Sequence, residues 1–170
     1  MDALINLRIG IGHDTHRLGP GGDIILGGVK IPYDSHLIGH SDADVLLHAI
    51  TDAILGALGL GDIGQHFPDT EEVNRGRDSA EILSEVVEVT RAGGWEVQNL
   101  DCIVFAERLK IAHHRAEIRV RIAELILVPP SAVNVKGKTG EGMGPVGREE
   151  VISAECVILM RRRDGPSRGP

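Results

Sequence analysis

The sequence predicts a single α/β domain, and three observations carry that reading. Apolar residues alternate along some stretches and recur at helical spacing along others, with Gly- and Pro-rich breaks between them. At 170 residues and 42% hydrophobic content, the chain is long enough to build one core. Aromatic residues make up only 2%, so Leu, Ile, Val and Ala must fill that core, and these side chains pack well where helices meet a sheet.

Taken in order, Leu7 to His13 alternates large and small residues and reads as a strand, and Ile24–Leu26 with Val29–Ile31 reads as a hairpin about Gly27 and Gly28. Ser41, with Asp44 three residues on, predicts a helix cap, followed by the helical stretch VLLHAITDAILGAL to about Leu58. The next stretch, GLGDIGQHFPDTEEVNRGR, is a long loop of the kind that carries function. Asp78 and Glu81 cap a second helix that stops at Gly93-Gly94. Trp95 to Phe105 is strand-like, His113 to Leu125 is helical and ends before Pro129-Pro130, and Val133–Val135 and Val151–Met160 are further strands. There is no internal repeat. The domain is expected to span residues 1–160, with a basic, disordered tail over 161–170.

Charge and composition narrow the function. A net charge of -7 repels polyphosphate, and the basic residues form no stripe beyond Arg161–Arg163, which argues against a nucleic-acid partner. An anionic small molecule would need local cations, either metals or placed Lys and Arg. No apolar run approaches a membrane span and the start is not a signal peptide, so the chain is expected to be soluble and cytoplasmic. Cys102 and Cys156 have no C-x-x-C partner and read as buried reduced thiols.

The candidate chemistry begins at Asp14 and His16. Two apart at a strand end, they share one face, and His48, one turn after Asp44 on the first helix, can supply a third ligand. One carboxylate and two imidazoles suit zinc or a similar divalent ion, and three protein ligands leave a tetrahedral position open, the catalytic pattern. The D-x-H spacing is common, and His13 and His40 are alternative ligands, although His13 is expected on the opposite strand face.

The strings RIGIGHDTHRL, ILGGVKIPYDSHLIGHSDADVLLHAITDAILGALGLGDIGQHFPDT and VNVKGKTGEGMG resemble, in order and spacing, the blocks of the 2-C-methyl-D-erythritol 2,4-cyclodiphosphate synthases, from about Leu7 to Met160. With no attached cytidylyltransferase the chain resembles the monofunctional form. The resemblance implies a phosphorus–oxygen lyase in which the 2-phosphate of a CDP-linked methylerythritol attacks the β-phosphate and releases CMP. It implies a zinc-like ion on Asp14, His16 and His48, and a second ion, Mg2+ or Mn2+, held with Glu141. His40 and Thr139 are implied as transition-state stabilisers. Ser41, Asp62, Ile63, Gly64, Phe67, Pro68, Asp69, Thr70 and Glu71 are implied around the methylerythritol phosphate, and Ala106 to Ala112, including Lys110 and Ile111, around cytidine. Thr15, Lys138 and Arg148 also fall among the substrate positions. The implied fold is a mixed, mainly four-stranded sheet with helices on one face, three copies packing sheet to sheet with active sites between subunits. Apolar strands such as CIVFA and VISAECVILM agree, since they need cover on both faces. Leu109, His113, Lys138, Pro145 and Glu149 depart from the family pattern. A metal-dependent phosphohydrolase using the same triad and a trimeric protein with structural zinc are the rival readings.

Overall fold

Strand β1 (Leu7–Pro20) and strand β7 (Val151–Arg162) form the centre of the sheet, antiparallel and in register from Leu7↔Arg161 to Arg17↔Val151. The computed structural model describes residues 6–68 and 70–163. Between those strands the chain forms β2 (Asp23–Leu26), β3 (Val29–Pro32), β4 (Ser35–Ile38), α1 (Val45–Leu58), α2 (Ile63–His66), α3 (Ser79–Ala92), β5 (Trp95–Phe105), α4 (Ile111–Leu125), β6 (Val133–Lys138) and α5 (Gly144–Gly147), with single 3-10 turns at Glu72–Asn74 and Pro130–Ala132.

The main sheet has five strands in the order β4-β1-β7-β5-β6, where four had been expected. All its pairings are antiparallel except β5 with β6. The additional strand is β4, four residues long and polar on alternate positions, too short to stand out by periodicity until β1 runs on past His13 to pair with it. β2 and β3 form the expected hairpin as a separate two-stranded sheet, with Gly27 and Gly28 at φ 63° and 72°, as a tight two-residue turn requires. β7 continues through Arg162 and so takes in the first residues of the expected tail; residues 164–170 lie outside the described residues.

All three long helices pack on one face. On β1 that face reads Gly10, Gly12, Asp14, His16, and the two glycines let α1 lie almost on the strand. A Cβ at Gly10 would stand 1.8 Å from the Ala53 carbonyl oxygen, and one at Gly12 would stand 1.9 Å from that of Ala49. The aliphatic core lies between this face and α1, with Leu46, Leu47, Ile50, Ile54, Ala154 and Ile158 fully or almost fully buried. Cys102 and Cys156 are free and buried there, directly opposite one another on β5 and β7.

The other face has no cover in a single chain. Ile9 and Ile11 are 73% and 70% exposed, and Val157 beside them is 49% exposed. This is the apolar surface that the strand compositions demanded a partner for.

The helix α1 begins later than expected. Its N-cap is Asp44, not Ser41: the Asp44 carboxylate accepts from the backbone N–H groups of Leu46 and Leu47, and also from those of Gly27 and Gly28 at 2.9 and 2.6 Å. One fully buried carboxylate thus fastens the hairpin to the start of α1. Burial pushes its pKa up while the N–H donors pull it down, and the net shift is upward.

Candidate active site

Close contact between α1 and the glycines of β1 brings His48 down beside Asp14 and His16. His48 Nδ1 lies 2.9 Å and His16 Nε2 3.0 Å from the same Asp14 oxygen, Oδ2, and the two ring nitrogens are 3.1 Å apart. Ligand atoms around a tetrahedral ion with bonds of about 2.0 Å stand about 3.3 Å apart, so these three atoms form one face of such a site with little movement. They make the sole group of three potential metal ligands within reach of one another among the described residues, leaving a fourth position open. Burial alone would raise the Asp14 pKa, but hydrogen bonds from His16 and His48 hold it well below the usual carboxylate range. Burial lowers the His16 pKa, and the Asp14 carboxylate more than reverses that shift. His13 points to the other face, toward Glu155 at 3.7 Å, and is no rival ligand.

The surrounding groups orient both rings. His16 Nδ1 lies 2.9 Å from the Ile38 carbonyl on β4, to which it donates, so Nε2 carries the lone pair toward the ion. His48 Nε2 lies 2.9 Å from Ser79 Oγ and 3.0 Å from Ser41 Oγ. The Ser79 hydroxyl donates to Asp42, so its oxygen accepts from His48 and leaves Nδ1 free as the ligand. Ser41 accepts the backbone N–H of Ala43 at 3.2 Å, and its role is to hold His48, not to cap α1.

The triad opens into a cavity of about 190 Å3 that His40, Ser41, Ile63, Gly64 and Phe67 also line. Asp62 caps α2 through the N–H of Gln65, which sets the turn at Ile63 and Gly64. Phe67 is held under the Arg77 guanidinium, 5.0 Å from its ring centre. Pro68 accepts from Asn74, and Thr70 and Glu71 are exposed at the rim of this loop; Asp69 lies outside the described residues. Thr15 is not brought in by its side chain, which donates to Ser153 on the opposite sheet face at 2.9 Å.

Sequence reasoning missed Asp52, which lines the same cavity and accepts the Ile63 N–H at 2.7 Å, its pKa raised by burial. Its signal was available: it lies one turn beyond His48 on the same helix face. Asp42 and Ser79 carried no such signal, because their partnership with His48 exists only when α3 packs beside α1.

The remaining candidates gather elsewhere. Ala106, Lys110, Ile111, Ala112, Lys138 and Thr139 line a second cavity of about 160 Å3. Thr139 donates to Glu141 at 2.9 Å, and Glu141 sits in a left-handed conformation, φ 52°, in the turn after β6. Arg148 pairs with Glu150 at 2.7 Å and lines neither of these two cavities. The register Thr15↔Ser153↔Phe105↔Lys138 puts both cavities at one end of the sheet. Three strand spacings, ~14 Å, separate their backbones. In one chain, therefore, His40 and Thr139 do not meet.

Residues 7–161 match the YgbB family. The chain is 51% identical to the 2-C-methyl-D-erythritol 2,4-cyclodiphosphate synthase of Listeria monocytogenes, over 92% of this chain and 99% of that one. It is 53% identical to the synthase of the same name from Gemmatimonas aurantiaca, over 91% of this chain and 95% of that one. Among solved structures, the Plasmodium falciparum IspF complex with CDP superposes with a TM-score of 0.83 at 33% identity, covering 94% of this chain and 98% of the other. The match takes in the sheet, the three long helices and the metal triad, and the chain belongs to the YgbB family of cyclodiphosphate synthases.

Proposed function

We propose that this chain converts 4-diphosphocytidyl-2-C-methyl-D-erythritol 2-phosphate to 2-C-methyl-D-erythritol 2,4-cyclodiphosphate and CMP, as a phosphorus–oxygen lyase of non-mevalonate isoprenoid synthesis in the cytoplasm. The observation that carries this is the convergence of Asp14, His16 and His48 on one open coordination face beside His40 and Ser41, in a chain whose relatives bear that synthase name.

In the reaction an oxygen of the 2-phosphate bonds to the β-phosphorus, the α–β bridging bond breaks, and its oxygen leaves with CMP. No water is consumed. A phosphate monoester is already anionic near neutral pH, so the chain's task is to position the two phosphates and neutralise charge, with no strong base required. A zinc-like ion on Asp14, His16 and His48, with Mg2+ or Mn2+ held at Glu141, would draw charge from the attacked and leaving phosphates. His40 and Thr139 donate to the phosphoryl oxygens as charge develops, and Ser41 holds the anion end of the methylerythritol phosphate. The turn at Asp62, Ile63 and Gly64, with Phe67 to Glu71, encloses the methylerythritol, and Ala106 to Ala112 reads cytidine through backbone groups. Thr15 acts through its backbone, and Arg148 from the approach.

Three copies pack through the bare sheet face, and each site combines the triad cavity of one subunit with the Lys138–Glu141 end of a neighbour. The exposure of Ile9 and Ile11 and the separation of the two cavities in one chain support this arrangement. The structural-zinc reading needs a fourth protein ligand, and the described residues offer three.

Phosphorus NMR of the purified, metallated chain with the CDP-linked substrate tests the proposal. Equimolar CMP and a cyclic diphosphate are expected. Inorganic phosphate would point to the hydrolase reading, and no turnover in a metal-loaded sample would sink the enzyme reading altogether.

A further inference from the structure

We propose that Lys110, Arg115 and Lys138 form a fixed cationic cradle that holds the phosphates of a nucleoside diphosphate without a divalent ion. The proposal rests on the nucleotide reading of the second cavity given above and adds what supplies its charge. The chain carries a net charge of -7, yet three cations from three different parts of the fold line this one cavity: Lys110 just before α4, Arg115 in the first turns of α4, and Lys138 at the end of β6. Their neighbours are all engaged. Arg108 pairs with Asp34 and Glu149, Arg119 donates to the carbonyls of Val133 and Pro130, and Lys136 pairs with Asp101. None of Lys110, Arg115 and Lys138 has a carboxylate partner or a side-chain hydrogen bond among the described residues.

In an acidic protein, unpaired cations that converge on one concave surface provide a local positive potential for an anion, and they need no reorganisation to receive it. The cavity floor is fixed from both sides: the Lys138 carbonyl accepts the Ala106 N–H at 2.9 Å, so the strand end that carries Lys138 and the segment 106–112 move as one piece. Thr139, on the same wall, adds a hydroxyl whose proton is presently on Glu141. A diphosphate lying against Lys138 and Thr139 would meet Lys110 and Arg115 on the α4 side. The phosphates, not the base, are therefore what these three residues select.

The test is calorimetric titration of the full-length protein in EDTA with CDP, inorganic pyrophosphate and cytidine, at several salt concentrations. The wild type is expected to bind CDP and pyrophosphate with an affinity that falls as salt rises. Lys138→Met, which keeps the length of the side chain, should weaken both by about tenfold and leave cytidine unchanged, as loss of one charge-assisted contact implies. Lys138→Arg should restore most of the affinity, and thermal melts should show both variants folded, since the side chain is exposed. Equal CDP and pyrophosphate affinities in wild type and Lys138→Met, or binding that requires added Mg2+, would overturn the cradle. If the cyclisation proceeds while that happens, the cradle falls alone. If pyrophosphate binding depends on Lys138 but no cyclisation occurs, the cradle stands without the synthase reading.

Discussion

Removing the Ser79 hydroxyl is expected to weaken metal binding at a site it never touches. Ser79 Oγ, 1% exposed as a residue, accepts from His48 Nε2 at 2.9 Å while donating to Asp42, and this fixes His48 with its Nδ1 lone pair toward Asp14 and His16. Loss of an outer partner of a ligating histidine costs 10- to 100-fold in metal affinity as a rule. Ser41 Oγ, at 3.0 Å, remains as a second acceptor for the same N–H, so Ser79→Ala should sit near the lower limit, about tenfold, and the double variant with Ser41→Ala near the upper, about 100-fold. The buried hydrogen bonds lost in Ser79→Ala should also cost about 1–2 kcal/mol of stability. Competition for zinc against a chromophoric chelator gives the affinity, and long-range nitrogen–proton NMR of the metal-free protein gives the His48 tautomer. Unchanged zinc affinity in the double variant, or a His48 protonated on Nδ1 in the wild type, would refute the orienting role.

Gly12→Ala should destabilise the fold by about 3 kcal/mol or more and loosen the triad, because its Cβ would meet the Ala49 carbonyl 1.9 Å away; a melting temperature close to wild type would contradict the packing argument. The His16 pKa is raised above 6.5 by Asp14 against the effect of burial, so in the metal-free protein this pair adds stability below about pH 6.5 that is lost as pH rises through the folded value. Metal binding needs the neutral ring and runs the other way: zinc affinity should strengthen as pH rises through that value and weaken below it, read by chelator competition across pH 5.5–8.5, roughly spanning the transition. Ile11→Glu, on a side chain 70% exposed in the single chain, should leave folding and zinc binding intact yet give a monomer by light scattering with little turnover; an active trimer would remove the bare sheet face from the assembly.

The triad was legible in the sequence to the extent that local geometry fixes it. Alternation along a strand puts Asp14 and His16 on one face whatever the tertiary fold, and the strongly apolar α1 must lie on a sheet, so His48 was bound to approach it. The two glycines in RIGIGH were the overlooked part of that signal, since they occupy the same face as the ligands and set how near the helix comes. The start of α1 was misread because Ser41 and Asp44 both satisfy the capping pattern, and tertiary partners decide between them: the hairpin N–H groups of Gly27 and Gly28 take the Asp44 carboxylate, and His48 takes Ser41. β4 was missed because four residues carry too little periodicity to register without the strand they pair with. The division of the candidates between two cavities was likewise invisible to residue spacing, because it depends on strand order in the sheet.

The central claim is that Asp14, His16 and His48 hold an ion for a phosphate attacked by another phosphate, with no water activated. Turnover of the CDP-linked substrate in water enriched with oxygen-18, followed by mass spectrometry of the products, tests this directly. The account predicts that neither CMP nor the cyclic diphosphate carries the heavy isotope. Incorporation of one labelled oxygen into a phosphate product at each turnover would contradict it.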